Sequence, residues 1–123
     1  MDYYLNGDID PQYFYNLPPG AFVGLATRYS GISHPSTAFV FLDENEKTIN
    51  DGIFVLFRDL DQIWRDAPSD RHSQGMNLSF ADGHCEHWRW RAPKQVQGAG
   101  EPVASADDLR DLRRLQAAMV NAP

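Results

Sequence analysis

The 123-residue sequence has a single cysteine, Cys85, so no disulfide can form within the chain. A lone cysteine leaves the redox compartment unread. Basic residues are few: 11 Lys+Arg stand against 17 Asp+Glu, a formal net charge of −6. An acidic balance argues against a nucleic-acid or anionic-membrane binder, whose affinity comes from basic patches. No apolar run approaches the roughly 18–20 residues of a membrane-spanning helix. The opening Met1-Asp2-Tyr3-Tyr4 lacks the basic start and apolar stretch of a signal peptide. Internal repeats are absent from the sequence as well.

What remains is enough for a core. Hydrophobic residues make up 42% and aromatics 12%, well above the composition of a disordered chain. The length fits one domain over 1–123. Residues 1–35 are rich in Tyr, Gly, Pro and Asn, with turn signals at Leu17-Pro18-Pro19-Gly20 and His34-Pro35. There Tyr3, Tyr4, Tyr13, Phe14 and Tyr15 are expected to anchor an irregular segment onto a sheet. Such a start reads as the middle of a longer polypeptide.

The apolar runs Thr37–Leu42 and Ile53–Phe57 are short and rich in aromatic and β-branched residues, which predicts two strands. The acidic connection Asp43–Gly52 predicts that they pair antiparallel. Residues 58–75 are irregular. Met76–Ala81 and His84–Arg91 flank Asp82-Gly83, a strong hairpin signal. Read as a two-residue loop, it sets Phe80 opposite Cys85, Leu78 opposite His87 and Met76 opposite Arg89. Cys85 then faces the core, and Trp88 and Trp90 cover the second face. Residues 92–104 form a loop or linker. Ser105 is expected to cap a helix over 105–120, with Asp108 completing a capping box. Leu109, Leu112, Leu115 and Met119 form its apolar stripe, with Arg110, Arg113 and Arg114 outside. The expected fold is therefore α+β: a sheet of about four antiparallel strands over 36–91 and a C-terminal helix.

His72 precedes Asp82-Gly83 by the nine residues Ser73 through Ala81. The block Asp70-Arg71-His72-Ser73-Gln74-Gly75 … Ala81-Asp82-Gly83-His84, continued by Trp88-Arg89-Trp90-Arg91, resembles the prepilin-type, processing-associated H-X9-DG family of pseudopilin-like proteins. His34-Pro35-Ser36 leading into Phe39–Glu44, Ile49-Asn50-Asp51-Gly52 and the ending Asp108–Gln116 are similar to further elements of that family. The resemblance covers residues 28–120, about three-quarters of the chain. It implies a pseudopilin-like globular head, non-catalytic, at the cell surface or in the periplasm. Its partners would be pilin-like subunits, secretion machinery or cargo in a secretion or pilus-like assembly related to type II secretion and type IV pili. Family members open with a prepilin leader and a long apolar helix that anchors the precursor. Neither stands in this sequence, and the expectation is that they precede it in a longer parent.

Two readings attach to the motif. In the structural one, Gly83 supplies the turn's positive φ and His72 donates to Asp82 or to a carbonyl, pinning the incoming loop. In the other, Asp43, Glu44, Glu46, Asp51 and Asp82 are hard oxygen ligands for Ca²⁺, or His72 and His84 favour a transition metal. Major pseudopilins of type II secretion carry Ca²⁺, which supports this by analogy only. Asp43–Glu46 starts like an EF-hand loop but lacks its sixth-position glycine, which favours a solvated acidic loop. On a strand Cys85 and His87 share one face and His84 takes the other, and no second cysteine exists, a poor arrangement for zinc. A Cys85–His nucleophilic pair is disfavoured by the expected burial of the thiol. Trp88, Arg89 and Trp90 could contact a protein partner or, with the tyrosines, a glycan; the plain alternative is that both tryptophans cover the sheet. A metal-dependent enzyme is the remaining competitor.

Overall fold

In the computed structural model, residues 3–6, 28–52, 54–57 and 62–120 are described. They form strands β1 (Tyr3–Asn6), β2 (Phe39–Leu42), β3 (Phe54–Phe57), β4 (Ile63–Trp64), β5 (Gly75–Phe80), β6 (Cys85–Arg89) and β7 (Glu101–Pro102), then helix α1 (Ala106–Ala117). The fold is α+β, with a three-stranded antiparallel sheet in the order β2-β5-β6 and antiparallel pairs β1-β3 and β4-β7. Residues 13–15, expected as aromatic anchors, lie outside the described residues.

Strand β5 follows from its period of two. Met76, Leu78 and Phe80 point into the core while Asn77 is exposed. The helix starts where its cap predicts. The Ser105 hydroxyl accepts the Asp108 N–H at 3.1 Å, satisfying one of the orphan donors of the first turn. Leu112, Leu115 and Met119 are buried and Leu109 packs at the margin. The helix end is tied to the sheet, because Phe39 N–H donates to the Ala118 carbonyl at 2.9 Å.

Two expectations are corrected. Strands β2 and β3 do not pair with each other: β2 joins β5, and β3 joins β1 in the register Tyr3↔Phe57. The reason lies in the acidic connection, which is solvated over only part of its length. Asn45 and Thr48 are buried, and the Asn45 N–H donates to the Ala67 carbonyl at 2.8 Å. Ser69 N–H reaches the Asp43 carbonyl at 2.8 Å, and Ala67 N–H reaches Thr48 Oγ1 at 3.3 Å. These bonds fasten the connection to residues 66–69 and carry the chain out of the β2 sheet.

The hairpin register is one residue off the expected one. Phe80 and His84 close the turn, with Phe80 N–H on the His84 carbonyl and Gly83 N–H on the Phe80 carbonyl, each at 2.9 Å. Gly83 has φ +94°, so the loop is Ala81-Asp82-Gly83 with a left-handed glycine at its end. Asp-Gly serves this three-residue loop as well as the two-residue one. Ser79 therefore faces Cys85, Leu78 faces Glu86 and Met76 faces Trp88. A slip of one residue turns every side chain of the return strand over. Cys85 is exposed, not in the core, and Trp88 and Trp90 are buried on the core face beside Met76. They do not cover the second face, as the two-residue loop required.

Gly75 sits opposite Arg89 at the start of β5. A Cβ there would run into the Trp88 carbonyl and stand 2.9 Å from His87 Nε2. The ring of His87 needs that space, since its Nε2 meets the His72 carbonyl at 2.7 Å. Gly75→Ala should therefore destabilise by about 1–3 kcal/mol, the usual cost of overpacking. The check is a fall in the urea midpoint at unchanged slope.

Candidate functional site

The Asp82-Gly83 turn gathers charge along one side of the ribbon. Asp82 Oδ1 accepts the His84 N–H at 3.1 Å, a local turn that aspartate favours, and also meets His84 Nδ1. The other ring nitrogen, Nε2, lies 2.8 Å from Glu86 Oε2. Glu86 Oε1 in turn accepts the Trp88 Nε1–H at 3.1 Å. The imidazole stacks flat on Phe80, with ring centroids 4.4 Å apart. A ring holding a carboxylate at each nitrogen favours its doubly protonated form. The hydrogen bond to Asp82, then that to Glu86, raises the His84 pKa above its ordinary 6.5. The same bonds lower Asp82 below 3.8 and Glu86 below 4.5.

These shifts fix a pH window. The raised histidine contributes stability that is fully present below pH 6.5 and is lost as pH rises through its folded-state value. The lowered carboxylates contribute stability present above 3.8 and 4.5 and lost as pH falls through their folded-state values. All three act together between about pH 4.5 and 6.5. An NMR titration of the His84 ring should give a pKa above 6.5, and Asp82→Asn should bring it down. An unshifted histidine in the parent would break the clamp.

His72 does not reach Asp82, contrary to the first of its expected roles. Its Nε2 stands 3.4 Å from Asp43 Oδ2, while its carbonyl accepts from His87. Asp43 Oδ2 also accepts the Asn77 N–H at 3.3 Å. The bend after His72 carries Ser73 and Gln74 at φ +54° and +55°, left-handed without a glycine. Gln74 holds it against the ribbon: its carbonyl accepts Trp90 N–H at 2.8 Å and its Nε2–H₂ donates to the Trp90 carbonyl at 2.9 Å. On the turn's other side, Asp82 N–H donates to the Pro35 carbonyl at 3.2 Å and Ala81 N–H to the Ala38 carbonyl at 2.9 Å. The segments around His34-Pro35, Asp43, His72 and Asp82-Gly83 thus interlock around one hairpin.

The oxygen ligands named for a metal distribute over several places. Asp43 faces His72, and Asp82 faces His84. Glu44 accepts the Thr48 hydroxyl at 2.9 Å, and Glu46 pairs with Arg71 at 3.1 Å. Burial raises the Glu44 pKa, reinforced by the charges of Asp66 and Asp51. Asp66 is raised by burial and by Asp51, while its Oδ2 accepts the Val55 N–H at 2.7 Å. Among the described residues, no group of three or more His, Cys, Asp or Glu side chains gathers as metal ligands. Of the strip Trp88-Arg89-Trp90, Arg89 alone is exposed; the buried tryptophan faces offer no stacking platform for a glycan.

Sequence reasoning missed Lys94. Its side chain is 0% exposed and its Nζ donates to Asp111 Oδ2 at 2.7 Å, the Ala92 carbonyl at 2.8 Å and Asp108 Oδ1 at 2.9 Å. All three ammonium donors are used. The ring centroids of Trp90 and Trp64 lie 5.1 and 5.5 Å from Nζ. The carboxylates are equally occupied. Asp108 Oδ2 accepts from Trp64 Nε1 and Ala104 N–H, and Asp111 accepts from the N–H groups of Arg91 and Ala92. The available signal was the alternation of buried Ala92, Lys94 and Val96 with exposed Pro93, Gln95 and Gln97. With all three ammonium protons used and each carboxylate accepting three hydrogen bonds, the clasp ties residues 91–94 to the first turns of α1.

No family model, no curated protein and no solved structure matches this chain. No helix among the described residues is long and apolar enough to cross a membrane.

Proposed function

We propose that the chain is the globular head of a pseudopilin-like protein, making subunit or cargo contacts in a secretion or pilus-like assembly without catalysis. One observation supports this reading. The segments on which the resemblance rests are far apart in sequence, yet they bond to one another around the Asp82-Gly83 turn. Pro35 accepts from Asp82, Ala38 from Ala81, and Asp43 faces His72. The block then has a physical reason to recur as a set: each part holds the next, and together they make a rigid surface ribbon. A head of this kind needs such a ribbon, because filament contacts are repeated many times and every copy must present the same shape.

The test is the coding sequence upstream of Met1. A short basic leader followed by about twenty apolar residues supports the proposal. An upstream segment of any other kind, or a mature protein that begins at Met1, removes it. With the parent gene in hand, a head-specific antibody should detect the protein in the membrane fraction and in sheared surface fibres.

A further inference from the structure

Arg89 and Arg91 stand two residues apart on and just beyond β6, so they share one side of an extended chain. Arg110 and Arg114 stand four apart on α1, so they share one helix face. The fold sets these two pairs on a common groove of about 570 Å³, lined by Arg89, Trp90, Arg91, Arg110, Asp111 and Arg114. Four of the chain's nine arginines thus meet in one place, in a protein whose net charge is −6.

Local carboxylates balance them only in part, the charge of Glu86 acting on Arg114 and that of Asp107 on Arg110. Asp111 is buried and committed to Lys94 and two backbone N–H groups. Asp107 meets Arg110 at 3.2 Å, an exposed pair that solvent screens. No carboxylate pairs with the guanidinium of Arg89 or Arg91 among the described residues. Arg114 is held in place, its guanidinium 4.0 Å from the Trp88 ring centroid and 3.4 Å from the Arg89 carbonyl. Like charges four apart weaken a helix, so stability alone does not account for the concentration.

We propose that this groove binds a polyvalent oxyanion: a ligand carrying two or more phosphate, sulfate or carboxylate groups. The strand pair would grip one group and the helix pair another. The planar fork of each guanidinium matches two oxygens of such a group at once. An isolated anion would gain little in an open, wet groove, whereas adjacent anions meet both pairs together. This inference is independent of the assembly reading; either can fail without the other.

The test is titration of the purified protein at low salt with tripolyphosphate, citrate and a sulfated oligosaccharide, each followed by NMR. The expected result is saturable binding by at least one probe, weakened by added NaCl, with amide shifts centred on residues 89–91 and 110–114. The tightest probe names the oxyanion class; equal binding by all three assigns the shared chemistry. Arg91→Gln with Arg110→Gln should weaken binding roughly tenfold or more, since charged hydrogen bonds are lost. Both side chains are exposed, and an unchanged melting temperature certifies the fold. Arg71→Gln, which removes an arginine paired with Glu46 away from the groove, should leave binding unchanged. No saturable binding by any probe, shifts centred elsewhere, or equal losses in Arg71→Gln and the groove variant would overturn the proposal.

Discussion

Lys94→Met is expected to cost about 3–5 kcal/mol, the range for breaking a buried ion pair by removing one partner. Methionine keeps most of the volume and the apolar stem, so the loss is not a cavity effect. It comes from what is left behind. Asp108 and Asp111 lie buried with the ammonium removed, at 4% and 2% exposure, and two carboxylates without a cation cannot both stay charged there. A domain of this size holds about 5–15 kcal/mol in all, so the variant loses a large share of its stability. Urea unfolding measures it. Adding Asp111→Asn to Lys94→Met should recover part of the loss, because asparagine still accepts the Arg91 or Ala92 N–H while shedding the charge. That non-additivity identifies the interaction as a coupled pair. A Lys94→Met cost under 1 kcal/mol would mean that the ammonium is not buried between the carboxylates.

The helix was legible in the sequence because its signals are local. The serine cap and the apolar stripe appear where expected, but Asp108 turns its carboxylate to Ala104, Trp64 and Lys94 instead of closing a capping box on Ser105, and α1 ends at Ala117, short of residue 120. The strands Phe39–Leu42, Phe54–Phe57, Gly75–Phe80 and Cys85–Arg89 were legible for the same reason, but the two-residue strands Ile63–Trp64 and Glu101–Pro102, too short to show alternation, were read as irregular or linker. Pairing was not legible. Alternation says which residues share a face but not which strand lies alongside, and the connection after β2 was diverted by Asn45 and Thr48, two polar residues that read as solvated. Lys94 was hidden because a charged residue in a Gly/Pro-rich stretch reads as loop; its partners stand 14 and 17 residues further on, across the fold. The arginine groove escaped for a related reason. Each pair obeys a periodicity visible in the sequence, but only folding opposes them, and a net charge of −6 describes the whole surface, not its parts.

The second large effect tests the hairpin itself. Trp90→Ala should cost about 3–5 kcal/mol, the range for deleting a buried aromatic. The indole is 2% exposed, donates its Nε1–H to the Ser69 carbonyl at 2.8 Å and packs edge-on against Trp88 at 6.1 Å between centroids. Removing it empties the space between ribbon and helix and leaves the Ser69 carbonyl unpaired. Cys85→Ser, by contrast, should change stability by less than about 0.5 kcal/mol, because the thiol is exposed. It should also react with a thiol reagent in the folded protein. A two-residue Asp-Gly loop would invert this order: Cys85 would face Phe80 in the core and the tryptophan would lie on the far side of the ribbon. The two substitutions together therefore measure register, which neither does alone. A costly serine paired with a cheap alanine would place the return strand one residue away from where Gly83, at φ +94°, sets it.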